Sequence, residues 1–352
     1  MNMFTEEMLN EVNDDNQTIF HINAIDKTLD RIPKELFTLE HLNKKAKNKS
    51  TVWHLAAIND TLKHIPEHLF TSEALAQKDI SDCNVWYYAA RNKTLSSIPI
   101  HLFTSGLMTY KCHYDETVLH IAAQHGSLKD IPVQLLTVEA LSQKGYKEQS
   151  VFHDAVRHKA NIPEHLFTEE ALSLVEEEGN TVFHTAANYG NLKAIPKHLF
   201  TEEAFNKKNF FGDSVWHLLR DQSLTDIPKR LITRNLLNEG FGSLGITYIE
   251  EVVKEREDDY EAFVKNNEHF QHDIDFIDPR LVLEDVNDNK LIFKFTGIKD
   301  RIVLANNEAL FKNKPYNSLH DVVRVIEQAY PNIEQSISIP SVQSSDIEGF
   351  VL

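Results

Sequence analysis

The sequence predicts a mainly α-helical solenoid of about seven repeats of 33 residues, followed by a small α+β domain. Three markers running in phase predict it. Ile-Pro recurs at Ile32-Pro33, Ile65-Pro66, Ile98-Pro99, Ile131-Pro132, Ile162-Pro163, Ile195-Pro196 and Ile227-Pro228, at spacings of 33, 33, 33, 31, 33 and 32. A small polar residue precedes a histidine by three positions at Thr18/His21, Thr51/His54, Thr117/His120, Ser150/His153, Thr181/His184 and Ser214/His217; the third repeat has Asn84 and Tyr87. Leu-Phe-Thr or a near copy follows Ile-Pro, as at Leu69-Phe70-Thr71 and Leu166-Phe167-Thr168.

The chain opens on the tail of a repeat. Phe4-Thr5-Glu6-Glu7-Met8-Leu9 matches Phe167-Thr168-Glu169-Glu170-Ala171-Leu172, so residues 1–15 form a half-repeat cap. Each repeat then starts at an N-cap residue and runs into small residues such as Ala56-Ala57 and Ala122-Ala123, which favour helix and let a neighbouring helix approach closely. The aromatic before the repeat histidine or its Tyr87 counterpart (Phe20, Trp53, Trp86, Phe152, Phe183, Trp216; Leu119 in one repeat) fills the space between stacked repeats. Pro66 suits the first turn of a second helix. Ile65, Leu69 and Phe70 share one face. Thr71 caps a third short helix with Glu73 in its first turn. One repeat cannot bury this stripe alone. Stacking buries it, with roughly 1.5–3 kcal/mol from each fully buried Phe or Leu, and gives a rod with nearest-neighbour energetics.

Thr51-Val52-Trp53-His54-Leu55-Ala56-Ala57, Thr117-Val118-Leu119-His120-Ile121-Ala122-Ala123 and Thr181-Val182-Phe183-His184-Thr185-Ala186-Ala187 resemble the ankyrin repeat family over residues 1–240. Gly126-Ser127-Leu128 and Gly190-Asn191-Leu192 match its turn, and Gly179-Asn180-Thr181 its entry. The family's proline after threonine is Val or Ile here, and Ile-Pro interrupts its second helix. Its Gly-Ala-Asp-Val-Asn segment is absent, so a third short helix and a loop are expected in place of β fingers. The fifth repeat lacks two residues between His153 and Pro163, which predicts an irregularity near residues 157–162. The seventh has Leu218-Leu219 where others have two alanines.

The resemblance implies a structural role for His21, His54, His120, His153, His184 and His217, and stacking spaces them about 10 Å apart, too far for shared metal coordination. It also implies a concave partner-binding surface at Asn59, Arg91, Asn92, Gln124, His125, Arg157, His158, Asn188 and Tyr189, with Ile58 beside Asn59 and with Cys83, Glu116 and Asn180 at the entry position. Changing exposed residues on a constant frame suit a binding scaffold.

The grid ends at Leu231-Ile232-Thr233, and Gly240, Gly242 and Gly245 mark the expected hinge. Residues 241–352 form the expected second domain. A helix is predicted over 246–266. Strands are predicted at 281–286 and 291–296 around an Asn287-Asp288-Asn289 turn, with another at 301–305. Ser318 should cap a helix through Gln328, and a loose tail is expected from about residue 336. His272, Asp273, Asp275 and Asp278 could hold a divalent ion, but an edge strand ending at Pro279 explains them as well.

The net charge is −17 over 352 residues, and residues 241–352 carry ten of those negative charges. Phosphate repels such a chain, which argues against a nucleic-acid partner and for a protein partner with a basic surface. Cys83 and Cys112 are the only cysteines and fit a reducing compartment. Cys112-His113 is a poor catalytic pair, because adjacent residues rarely face each other. The N-terminus shows no secretory signal, and no apolar run is long enough for a membrane span, so a cytoplasmic protein is expected. No nucleophile motif, P-loop or GxGxxG is present, so no catalytic residue, cofactor or metal is expected. These features predict a non-catalytic protein-binding module, adaptor or inhibitor that grips a macromolecular partner through the array, with the acidic C-terminal domain adding to or positioning the contact. The repeat style is similar to ankyrin-like proteins of bacteria and their viruses, which implies an effector or inhibitor role against a host. The alternative is an enzyme whose metal-dependent C-terminal domain the array targets. A third possibility is an acidic domain that imitates nucleic acid.

Overall fold

A computed structural model describes residues 6–112, 115–219, 221–239, 241–266, 281–287, 290–295, 300–305 and 308–330. Residues 1–5, His113, Gly240, the acidic run 272–279, Asp288-Asn289 and the tail from 336 lie outside them. The chain divides into two bodies, Met1–Leu219 and Arg220–Leu352. The division falls inside the seventh repeat. The turns Asp221–Asp226 and Arg234–Asn238 pack on a long helix, Ser243–Asn266, within the second body.

The N-terminal body repeats one path. An extended N-cap residue leads into a helix of seven or eight residues: Ile19–Ile25, Val52–Ile58, Val85–Arg91, Val118–His125, Val151–His158 and Val182–Asn188. The seventh stops at Val215–Leu218, with Leu219 extended. After each of the first six helices one residue takes left-handed backbone: Lys27, Asp60, Lys93, Gly126, Lys159 and Gly190. Only two are glycine, so four repeats accept a side chain where the family's turn favours none.

Two single 3₁₀ turns flank Ile-Pro, for example Leu62–His64 and Glu67–Leu69. This corrects the second α-helix expected from Pro66. Proline drives the residue before it out of the helical region, and Ile65 is extended at φ −78°, ψ 133°. Pro66 itself has ψ 132°, so it caps a 3₁₀ turn instead of opening an α-helix. The fifth repeat lacks the first of these turns and passes from Lys159 to Glu164–Leu166. The third helix forms as short segments such as Ser72–Leu75 and Glu169–Ser173. Thr71 and Thr168 each accept an N–H from three residues ahead at 3.1 Å.

A tight loop then returns the chain. One side chain caps it: Asp79 Oδ1 accepts from the N–H groups of Ser81 (2.8 Å) and Cys83 (3.1 Å). Asn13, Glu176 and Asn209 do the same at equivalent places. In place of a two-stranded finger each of four loops keeps a single antiparallel bridge: Lys78–Asn84, Lys111–Thr117, Lys144–Ser150 and Val175–Thr181. Loop tips also join successive repeats, with Ile80 N–H donating to the Asn48 carbonyl (2.9 Å) and Phe210 N–H to that of Glu178 (3.0 Å).

The core is an aromatic row. Trp53 meets Phe70 edge-on at 4.9 Å, Trp86 meets Phe103 at 4.9 Å, and Phe183 meets Phe200 at 5.3 Å. The paired alanines are fully buried between neighbouring helices. A side chain near the start of the first 3₁₀ turn also reaches back one repeat. Thr94 Oγ1 donates to the Ala57 carbonyl (3.0 Å) and Ser127 Oγ to that of Ala90 (2.7 Å). These bonds satisfy carbonyls near the end of the preceding helix.

In the C-terminal body, helix Ser243–Asn266 contains Gly245, so the glycine expected to mark a hinge lies inside a helix. Arg256 on this helix is buried and donates to the Ile232 carbonyl at 3.1 Å. A five-stranded antiparallel meander follows: β1 (Leu281–Asn287), β2 (Lys290–Phe295), β3 (Arg301–Ala305), β4 (Glu308–Phe311) and β5 (Lys314–Tyr316), in that spatial order. Register slips once, between Leu283 and Asp285. Ser318 Oγ accepts from Asp321 N–H (3.1 Å) and starts the helix Leu319–Ala329. That helix and the sheet enclose Phe263, Phe293, Phe295, Ile302, Val322 and Ile326.

Candidate functional site

The repeat histidines form a chain of clamps. In the second repeat His54 Nδ1 accepts from Thr51 N–H (3.1 Å) and the Thr51 hydroxyl (2.8 Å), so its proton sits on Nε2, which donates to the Cys83 carbonyl of the next repeat (3.3 Å). His120 bridges in the same way to Gln149 (3.1 Å), His153 to Asn180 (3.2 Å) and His184 to Asp213 (3.2 Å). His21 reaches the Lys44 carbonyl (3.1 Å), and His217 takes the Ser214 hydroxyl at 2.7 Å. Burial pushes the His21, His54 and His184 imidazoles below their ordinary pKa, and those of His120 and His153 down to about 4.

The variable positions fall into two groups. Asn59 and Asn92 turn back on their own helices, their amides donating to the carbonyls of Leu55 (3.0 Å) and Tyr88 (2.9 Å). Arg91, His125, His158 and Arg157 form a row along which charge is felt. Burial and then the Arg91 cation lower the pKa of His125. Burial and then the Arg157 cation lower that of His158. The basic row contrasts with the acidity of the whole chain.

Arg157, Asn188 and Tyr189 come together in one cleft of about 510 Å³ in repeats five to seven. The Arg157 guanidinium lies over the Tyr189 ring at 5.1 Å and donates to Gln149 Oε1 at 2.9 Å. Loop residues that the repeat pattern did not reveal complete the cleft: Tyr146, Lys147, Glu178, Asn209 and Phe211. Phe211 is 71% exposed, its neighbour Phe210 77%, Tyr146 52% and Tyr189 46%. These are four of the five exposed large aromatics among the described residues.

Gln124 bridges two carboxyl groups beside the row, donating to Glu116 Oε1 (2.6 Å) and Asp154 Oδ2 (3.3 Å). Asp154 is 2% exposed, and burial pushes its pKa up to about 7. Between pH 4 and 7 the folded chain therefore holds a proton that the unfolded chain has released, and stability falls as pH rises through that window. Asp154→Asn imitates the protonated acid. It is expected to be about 2–4 kcal/mol more stable than the parent at pH 8 and equal to it near pH 4. Urea unfolding at the two pH values checks this, and an equal offset at both would contradict it.

Among the described residues no three His, Cys, Asp or Glu side chains gather as a metal site, and no helix is long and apolar enough to cross a membrane.

No known family model and no curated protein matches the chain. Solved structures do. The ankyrin repeat domain of Bcl-3, described as a unique member of the IkappaB protein family, aligns with a TM-score of 0.40 at 18% identity over 60% of this chain and 98% of its own. The human ASB11 ankyrin repeat domain aligns with a TM-score of 0.43 at 14% identity over 64% of this chain and 98% of its own.

Proposed function

We propose that the chain is a non-catalytic protein-binding module. The observation that carries this is the cleft of repeats five to seven, where the exposed rings of Tyr146, Tyr189 and Phe211, with Phe210 next to them in the chain, accompany Arg157, Asn180 and Asn188 on a rigid frame. Aromatic side chains supply large contact area at low entropic cost, and the amides supply hydrogen bonds to a partner backbone. The surface extends along Gln124, His125, His158 and Arg91 towards the earlier repeats. The protein partner carries a basic surface that meets the chain's net −17 charge, while its segment opposite the Arg91–Arg157 row is acidic or neutral. A cytoplasmic setting suits two cysteines that are not joined in a disulfide. Within this function, the role of inhibitor or effector follows from the resemblance to bacterial and viral ankyrin-like proteins. The acidic residues 241–352 extend or position the contact.

The test is capture of partners from the native cytoplasm by the full chain and by the double variant Tyr189→Ala/Phe211→Ala. A partner bound by the parent and lost at least tenfold by the variant, with both proteins equally folded by circular dichroism, is the expected result. Hot-spot aromatics carry about 2 kcal/mol or more each, enough for that loss. Equal capture by both proteins would remove the cleft from the function.

A further inference from the structure

The chain's two cysteines lie 29 positions apart, yet the fold brings them to one place. Cys83 is buried at the entry of the third repeat, and Cys112 is half-buried in the loop that enters the fourth. Three repeats on, the residues at the same two positions, Asn180 and Asn209, are joined by a side-chain hydrogen bond at 2.8 Å, so these positions bring their side chains together; Cys83 and Cys112 adjoin in the same way, with Tyr87 beside both. The junction itself is unusual. Between other successive repeats a histidine ties one repeat to the next, but the third repeat carries Tyr87 in that place. The Glu116 carbonyl, which the missing histidine would have held, accepts instead from the Cys112 thiol at 3.2 Å. Thus the junction without its imidazole clamp is where the two sulfurs meet.

We propose that Cys83 and Cys112 form an oxidation site that closes to a disulfide and staples the third repeat to the fourth. The oxidant is a peroxide, which reaches the half-exposed Cys112 first. Its sulfur attacks hydrogen peroxide: an S–O bond forms, the O–O bond breaks, and the second oxygen leaves as water with the thiol proton. The Cys83 sulfur then attacks the Cys112 sulfenic acid. An S–S bond forms, the S–O bond breaks, and hydroxide leaves with the Cys83 proton as water. The two thiols lose two electrons in all, and one peroxide becomes two waters. The adjoining Cys83 thiol, and then burial, hold the Cys112 thiol protonated at neutral pH, so the reaction is slow there and speeds up in alkaline solution.

Treatment of the full native chain with hydrogen peroxide at pH 8.5, followed by alkylation and mass spectrometry, tests the proposal. The expected product is a monomer lighter by two hydrogens, resistant to alkylation, that yields one cross-linked peptide pair containing Cys83 and Cys112. Dithiothreitol reverses it, and the oxidised chain melts at a higher temperature than the reduced one. Cys112→Ser should leave Cys83 open to alkylation with no internal cross-link. The same oxidation in urea should give less of the internal bridge. Sulfinic acid at Cys112 with Cys83 still alkylated would overturn the proposal, as would cross-links only between chains. Should Cys112→Ser fail to fold, the peptide map of the native parent decides alone.

Discussion

Lowering the pH from 7 to about 4.5 is expected to unfold the N-terminal body. Five clamp histidines have depressed pKa values, and burial is the first cause in each. The geometry adds to it. Nδ1 already accepts the N-cap N–H, at 3.2 Å in His120 and in His153, so a proton added there would point at another donor. Folded His120 and His153 take up protons only near pH 4, whereas an unfolded histidine does so near 6.5. In that window the unfolded chain binds more protons, so stability rises with pH and is lost as pH falls. Each tenfold change in proton affinity corresponds to about 1.4 kcal/mol, so these two residues alone remove roughly 7 kcal/mol across the window. That is as large as the whole stability of many domains. Asp154 pulls the other way with a single proton, and the histidines outnumber it. The urea midpoint, followed by fluorescence of Trp53, Trp86 and Trp216, should fall steeply between pH 7 and 5. A midpoint that stays level would show that the imidazoles charge without breaking their clamps.

The clamp was legible as a pattern because it repeats. Thr-x-x-His carries both the cap and the clamp within four residues, and any repeat displays it. The turns were less legible. Ile-Pro marked a break in the helix, but local periodicity placed Ile65, Leu69 and Phe70 on one helical face. Only the extended backbone forced on Ile65 by Pro66 shows that two 3₁₀ turns replace the helix. The cleft is half visible in the sequence. Arg157, Asn188 and Tyr189 follow from the position after the helix, while Tyr146, Glu178 and Phe211 sit in loops that read as connectors. A signal exists for two of them: Asn13, Asp79, Glu176 and Asn209 occupy the same phase, and Glu176 and Asn209 cap the loops of Glu178 and Phe211, whereas the Tyr146 loop has Gly145 at that phase. In the C-terminal body β4 and β5 carry no readable signal in the sequence. Four residues are too few to show alternation, and Pro315 in Lys314–Tyr316 argues against a strand unless it lies at an edge, which β5 does.

Trp86→Ala should be the most damaging single core change, and its effect should stay local. The Trp86 side chain is 1% exposed and packs edge-on against Phe103. Truncation leaves a cavity that neighbouring repeats cannot fill without moving, at a cost of about 3–5 kcal/mol. In a stacked array each repeat is held by its own stability and by two interfaces, so the site of the loss matters as much as its size. Trp86 belongs to the third repeat, where Tyr87 replaces the clamp histidine and the interface with the fourth repeat is already weaker by one bridge. Two separate stacks, repeats one and two on one side and four to six on the other, then lose their link together. Hydrogen exchange in the variant should accelerate first over residues 84–112, with Val118–His125 and Val52–Ile58 protected longer. Trp53→Ala removes a ring of the same size, but its repeat keeps the His54 bridge, so exchange should spread less from there. Uniform acceleration from residue 6 to residue 219 in the Trp86 variant would mean that the body unfolds all at once, and nearest-neighbour energetics would not describe it.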